Sequence, residues 1–161
     1  MFIGHFGVAF AVERVGPRSD MAAPMSQFRL CVRARPEDID ELAHVSNIVY
    51  VRWIQEVAVA HSTSVGWPSD AYLRLGKVFV VRRHEIDFIA SAVEDDEIDL
   101  VTWIAEWSPA SSVRRTRILR GRDGQELARA TTVWAFVSKE SGRPQRILPE
   151  IVEAFGLSAV Q

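Results

Sequence analysis

The chain has 161 residues, 48% apolar and 25% charged, ordinary proportions for one globular domain that buries a core without disulfide or metal staples. Its 19 basic and 21 acidic side chains nearly cancel, which argues against a polycation that coats nucleic acid or an anionic membrane. The single cysteine, Cys31, excludes an intrachain disulfide and a cysteine-rich zinc site, and the short, charge-broken apolar runs do not span a bilayer.

Residues 1–27 read as an extension in front of a domain at 28–161. MFIGHFGVAFAV is apolar and small, and ERVGPRSDMAAPMSQ is loop-like. Met21 and Met25 are alternative starts, and Phe2–Val12 could instead add a short strand. A secretory signal is not expected, because no base precedes Arg14. The expected location is cytoplasmic.

Phe28, Leu30, Val32 and Ala34 then alternate with Arg29, Cys31, Arg33 and Arg35, a strand ended by Pro36. Residues 37–46 form a polar loop with Asp38, Asp40 and His44, Asp38 facing solvent. From Asn47 to about Ser62 the chain is apolar nearly all round, with Arg52, Gln55 and Glu56 as one polar stripe at helical spacing. Its β-branched residues favour a strand and its length favours a helix. Ser46 or Asn47 would cap that helix, Gly66 would stop it, and the rest of the protein must enclose it.

A second helix is expected at Ser69–Leu75, capped by Ser69 and stopped by Gly76. Four consecutive antiparallel strands follow, at about Val78–Ala90, Ile98–Trp107, Ser112–Leu119 and Glu126–Ser138. Arg122-Asp123-Gly124 marks a hairpin, and a last helix runs over Glu150–Phe155. The pattern is α+β: a curved antiparallel sheet wrapped around one long helix.

The stretch Asp38-Ile39-Asp40-Glu41-Leu42-Ala43-His44-Val45-Ser46-Asn47-Ile48-Val49-Tyr50 carries the chemistry. A carboxylate-bearing loop feeds straight into a helix N-terminus, whose free N–H groups favour an oxyanion. A base or nucleophile beside an oxyanion hole is the minimum for acyl transfer.

Here the sequence resembles the hotdog-fold thioesterases, specifically the 4-hydroxybenzoyl-CoA thioesterase-like acyl-CoA hydrolases. The motif residues are Asp40, His44, Val45, Asn47 and Tyr50, followed by Arg52-Trp53-Ile54-Gln55-Glu56. Val81-Arg82-Arg83-His84-Glu85-Ile86-Asp87-Phe88, Asp123 through Ala130 and Gly142-Arg143-Pro144 follow in family order. Two positions depart from the pattern. Ala43 stands where the family carries Gly, and Ser46 where it carries the first of two Asn. The loop also looks like that of acyl-carrier-protein thioesterases, which have Asn at the position of Leu42.

The resemblance implies a metal-free, cofactor-free acyl-CoA or aroyl-CoA hydrolase. Asp40 would activate water or attack the thioester, and the backbone N–H near Asn47 would hold its oxygen. His44 would shape the site, Tyr50 would line it, and Glu56 would be the reserve carboxylate. It further implies a homodimer or dimer of dimers, with sites built across the interface. The competing class is a non-catalytic acyl-thioester binding or regulatory protein of the same fold. In that case Asp40 caps its turn and Asn47 its helix.

Charge is segregated. Residues 85–106 carry eight acids and no base, while residues 113–129 carry six arginines against Asp123 and Glu126. Arg82, Arg83, Arg114, Arg115 and Arg143 are candidates for coenzyme A phosphates; the bland reading is a solvated sheet paired with the acids. Strand alternation puts Arg115 and Arg117 on one face and Arg114 and Arg120 on the other. No nucleic-acid motif, phosphate loop or metal-ligand spacing is present. Cys31 reads as a buried thiol, and Trp103, Trp107 and Trp134 as core or interface.

Overall fold

A computed structural model describes residues 27–156. The expectations for residues 1–26, including the strand at Phe2–Val12, lie outside the described residues. In chain order the elements are β1 (Phe28–Arg33), a 3-10 turn (Pro36–Asp38), α1 (Asn47–Ser64), α2 (Ser69–Leu75), β2 (Lys77–Phe88), β3 (Glu97–Ser108), β4 (Ser111–Arg120), β5 (Glu126–Ser138) and α3 (Pro149–Ala154).

Helix wins over 47–64 despite the β-branched side chains. Val49, Tyr50, Trp53, Ile54, Val57, Ala58 and His61 recur at helical spacing and are buried together on one face. Each large side chain on that face gains about 1.5–3 kcal/mol from burial, which outweighs a few tenths of helix propensity. The enclosure is one-sided, a correction to the sequence reading: Ile48 at the first turn is 78% exposed. Ser46 takes the N-cap position without a side-chain cap bond. α2 ends at Gly76, whose φ of 69° is the left-handed conformation that glycine adopts without strain. Its N-cap is Pro68 rather than Ser69.

The five strands form one antiparallel sheet in the order β1-β3-β4-β5-β2. The four later strands are therefore not a simple run of neighbours. β2 crosses to pair with β5 at the far edge, with Ile86 opposite Ala130, and β3 lies between β1 and β4. Sequence alternation names the faces of a strand but not its neighbours, so this crossover was not readable from it.

α1 packs on the inward face of the sheet. Toward its N-terminus, Leu30, Ile98, Leu100, Ile118 and Leu127 meet Trp53, Ile54 and Val57 in one apolar cluster. A second cluster joins Tyr72, Ile104, Phe136, Ile151 and Phe155. A buried polar group on α1, β3 and β4 also faces this interior. The Thr102 hydroxyl donates to the Arg115 carbonyl at 2.9 Å and lies 3.1 Å from the Thr116 hydroxyl. Arg114 donates from Nη1 to Thr102 at 3.1 Å and to His61 Nδ1 at 3.0 Å.

Burial, reinforced by the neighbouring Arg114 guanidinium, holds the His61 imidazole down at about 3. The folded chain thus keeps His61 neutral while the unfolded chain protonates it below about pH 6.5. The unfolded state then binds the extra proton, so stability falls as pH drops through that value. In denaturant titrations between pH 6.5 and 5, this residue should contribute a slope approaching about 1.4 kcal/mol per pH unit. A His61→Asn variant should lose that component; an unchanged slope would contradict it.

Candidate active site

The Asp40 loop is fixed at both ends before it reaches α1. Ile39 and Val45 form an isolated antiparallel bridge, the Val45 N–H donates to the Ala92 carbonyl at 2.9 Å, and the Ser46 N–H to the Asp38 carbonyl at 2.9 Å. Asp38 is buried, contrary to the solvent position expected for it. Its carboxylate accepts from the Arg35 N–H at 3.0 Å and from Arg52 Nη2 on α1 at 2.6 Å. A carboxylate held by a backbone N–H and a guanidinium can go inside, where a free one could not.

Asp40 is exposed on the tight turn between these anchors. Its Oδ1 accepts from the Leu42 N–H at 2.8 Å and from the His44 N–H at 3.3 Å. The turn-capping reading is therefore met by one oxygen. Among the described residues no hydrogen bond or ion pair engages Oδ2. His44 accepts from the Asp40 N–H through its carbonyl at 2.8 Å and is exposed. Asn47 is exposed and is the first residue of α1, where helix N–H groups lack intrahelical acceptors. Asp40, His44 and Asn47 thus share one short loop and one helix end.

Tyr50 stands apart from them in role. It is 2% exposed, and its hydroxyl accepts from the Ala92 N–H at 3.1 Å, tying α1 to the segment that also holds Val45. Burial raises its pKa above the usual phenol value. It supports the loop from below instead of presenting a free surface to a ligand. Glu56 lies nine residues beyond Asn47, about 14 Å along the helix axis, and Arg52 bridges it to Asp38 at the base of the loop. It pairs with Arg52 Nε at 3.4 Å, and burial raises its carboxyl pKa against the lowering effect of that guanidinium.

The arginines separate. Arg82 and Arg83 are exposed on β2, where a register shift sits between Val81 and Arg83, and Arg83 pairs with Glu85 at 3.1 Å. Arg115 is exposed on β4, and Arg143 in the loop after β5. Arg114 is buried at 4% exposure on the inner face of β4, so its assignment to a shallow surface site is corrected. Part of the bland reading holds: Arg129 pairs with Asp87 at 3.0 Å and Arg120 with Asp96 at 3.3 Å. Cys31 is exposed rather than buried. Trp107 and Trp134 are buried, and Trp103 is half-buried.

The exposed apolar side chains Leu42, Ile48, Phe88, Ile89 and Val93 lie on the loop, on the start of α1 and on the 88–93 segment bonded to them. The Phe88 and Tyr50 rings meet edge-on at 5.5 Å between centroids. A cavity among the described residues lies elsewhere, at the far end of α1. It is lined in part by Ala58, Ser62, Tyr72, Phe79 and Arg114. The loop is the better chemical candidate, because it carries an exposed carboxylate and leads into a helix N-terminus.

The family model of the thioesterase-like superfamily matches residues 34–155. The chloroplastic acyl-(acyl-carrier-protein) hydrolase FATB3 of Cuphea viscosissima is 26% identical over 138 residues, 80% of this chain and 33% of that protein. The chloroplastic oleoyl-acyl carrier protein thioesterase 2 of Arabidopsis thaliana is 25% identical over 134 residues, 79% and 36% of the two chains. The chain thus spans about a third of the curated relatives it matches. Among solved structures, the DHNA-CoA thioesterase of Staphylococcus aureus aligns with a TM-score of 0.76 at 17% identity, covering 82% of this chain and 90% of that one. A 4-hydroxybenzoyl CoA thioesterase complexed with 4-hydroxybenzoyl CoA aligns at 0.74 and 22% identity, covering 81% and 99%.

Ala43 has φ 59°, the left-handed conformation that its Cβ disfavours and glycine tolerates. Ala43→Gly should therefore raise unfolding stability by up to about 1 kcal/mol, less the entropy glycine adds to the unfolded chain. Equilibrium denaturation reads this directly, and a destabilised variant would contradict the strain.

Proposed function

This chain belongs to the thioesterase-like superfamily and has its hotdog fold, and on that footing we propose that it hydrolyses acyl thioesters through the Asp40 loop. The observation that carries the reading is one carboxylate oxygen committed to the turn and the other left unbonded, seven residues before the first N–H of a helix. The committed oxygen fixes the side chain, and the uncommitted one is open to a proton or a carbonyl carbon.

Asp40 either takes a proton from the water that attacks the thioester carbonyl or attacks that carbon itself, forming a transient anhydride that water opens. In both routes negative charge collects on the former carbonyl oxygen, where N–H groups at the start of α1 stabilise it. The thiolate leaves, takes up a proton, and a carboxylic acid remains. His44 and the Asn47 side chain border this space. Glu56 is the reserve carboxylate, from this chain or a second copy, and Tyr50 acts by holding the loop.

The assembly we propose is a homodimer or a dimer of dimers. β2 is a twelve-residue strand at the sheet edge, and Phe88, Ile89 and Val93 at its end are exposed. An unpaired edge beside apolar side chains favours pairing with a symmetry mate. The thioester carrier is coenzyme A or an acyl-carrier protein. Arg82, Arg83, Arg115 and Arg143 are exposed and are candidates for the phosphates of either.

A panel of acyl-CoA, aroyl-CoA and acyl-carrier-protein thioesters, followed by release of free thiol, tests the proposal. Turnover of at least one class well above the uncatalysed rate is expected. Tight binding with no thiol release from any of them would instead make the chain a thioester-binding module.

A further inference from the structure

The cavity at the far end of α1 is used by none of the chemistry above. It measures about 270 Å³ and lies between the C-terminal half of α1, α2 and the ends of β2, β4 and β5. Its walls are mainly apolar and aromatic, including Val78, Phe79, Trp107 and Trp134. Among the described residues no Asp or Glu lines it, yet two cations do: Arg114, 4% exposed, and Lys139, exposed.

Arg114 is the unusual member. A buried guanidinium ordinarily lies against a carboxylate, because removing a charge from water is expensive unless an opposite charge receives it. Among the described residues no carboxylate lies within ion-pair distance of Arg114. Its hydrogen bonds run from Nη1 alone, to the neutral acceptors Thr102 Oγ1 and His61 Nδ1. The Phe155 ring lies 5.8 Å from the guanidinium carbon. Among the described residues, a positive charge therefore lies against an apolar cavity with no counterion beside it. Hydroxyl groups of Ser62, Tyr72 and Ser112 also line the space.

We propose that this cavity binds an apolar carboxylate, with the carboxylate paired to Arg114 and the hydrocarbon body against the aromatic walls. The anion would come either from a free carboxylic acid or from the carboxyl-ended tail of a larger molecule. The chemistry is the same in both cases: a planar two-oxygen acceptor meeting the guanidinium fork. The site does not depend on thioester hydrolysis, so its failure and the failure of Asp40 as a catalyst are separate results.

The test uses the full chain and two eight-carbon ligands of nearly equal shape, octanoate and octanamide, titrated by calorimetry and by tryptophan fluorescence at pH 7.5. Octanoate should bind at least tenfold more tightly. In Arg114→Gln, which keeps hydrogen-bonding capacity and removes the charge, the two ligands should bind within about twofold of each other. The comparison in the unaltered protein stands even if that variant folds poorly. Equal affinities in the unaltered protein, no binding of either ligand at millimolar concentration, or a preference that survives in a folded Arg114→Gln would each overturn the proposal. A coenzyme A thioether bearing a carboxyl-ended eight-carbon chain distinguishes the two sources. If it displaces octanoate, the site receives a carboxyl-ended tail; if octanoate stays bound, the site receives the free acid. Either result supports the carboxylate site.

Discussion

Everything in this chain is organised by one packing constraint: a single face of α1 must lie on the inward face of the sheet. Trp53, Ile54 and Val57 are essentially without solvent contact there. Burying them fixes the height and rotation of the helix against β3 and β4. The start of α1 is then fixed in space, and so is the loop that leads into it. The Arg52–Asp38 pair and the Tyr50–Ala92 bond act as two further ties from the same helix to the loop and to its neighbour segment. A carboxylate on an exposed turn is held in place only where its surroundings are rigid, and here the helix supplies that rigidity.

The same helix divides the interior by chemistry. At its N-terminal half it meets an almost wholly apolar cluster, which favours precise packing. Farther along it meets His61, Thr102, Arg114 and Thr116, and beyond them a cavity. Burial determines the protonation state of this group: His61 stays neutral and accepts from Arg114 because a second charge beside the guanidinium would be repelled as well as desolvated. One end of α1 thus faces an exposed carboxylate and the other a buried cation. The two ends suit different parts of ligand chemistry.

Much of this was legible in the sequence where a physical signal was local. Helix length decided 47–64, Gly76 ended α2, and alternation with turn residues marked β4 and β5 closely. Ala43, conspicuous in sequence as a replacement for glycine, has the positive φ that makes the replacement strained. The misreadings concern partners distant in the chain. Asp38 looked solvated because its guanidinium partner lies fourteen residues on, across a loop whose path alternation does not give. Arg114 reads in sequence as one of several surface arginines, although it shares strand parity with Thr116 and Ile118, which are buried. That parity was the available signal, and ordinary expectation about arginine overrode it. The crossover placing β2 beside β5 had no local signature at all.

Under the proposed function, the Asp40 carboxylate performs the acyl transfer and does not merely close its turn. Asn at this position keeps an acceptor oxygen for the Leu42 N–H while removing the negative charge, so it separates the two roles. The decisive measurement is thiol release by Asp40→Asn beside the unaltered protein, on the best thioester found, with melting temperatures taken in parallel. The account predicts a fall in kcat of about a hundredfold or more at nearly constant melting temperature, the scale of a lost general base. Undiminished turnover by the folded variant would contradict it.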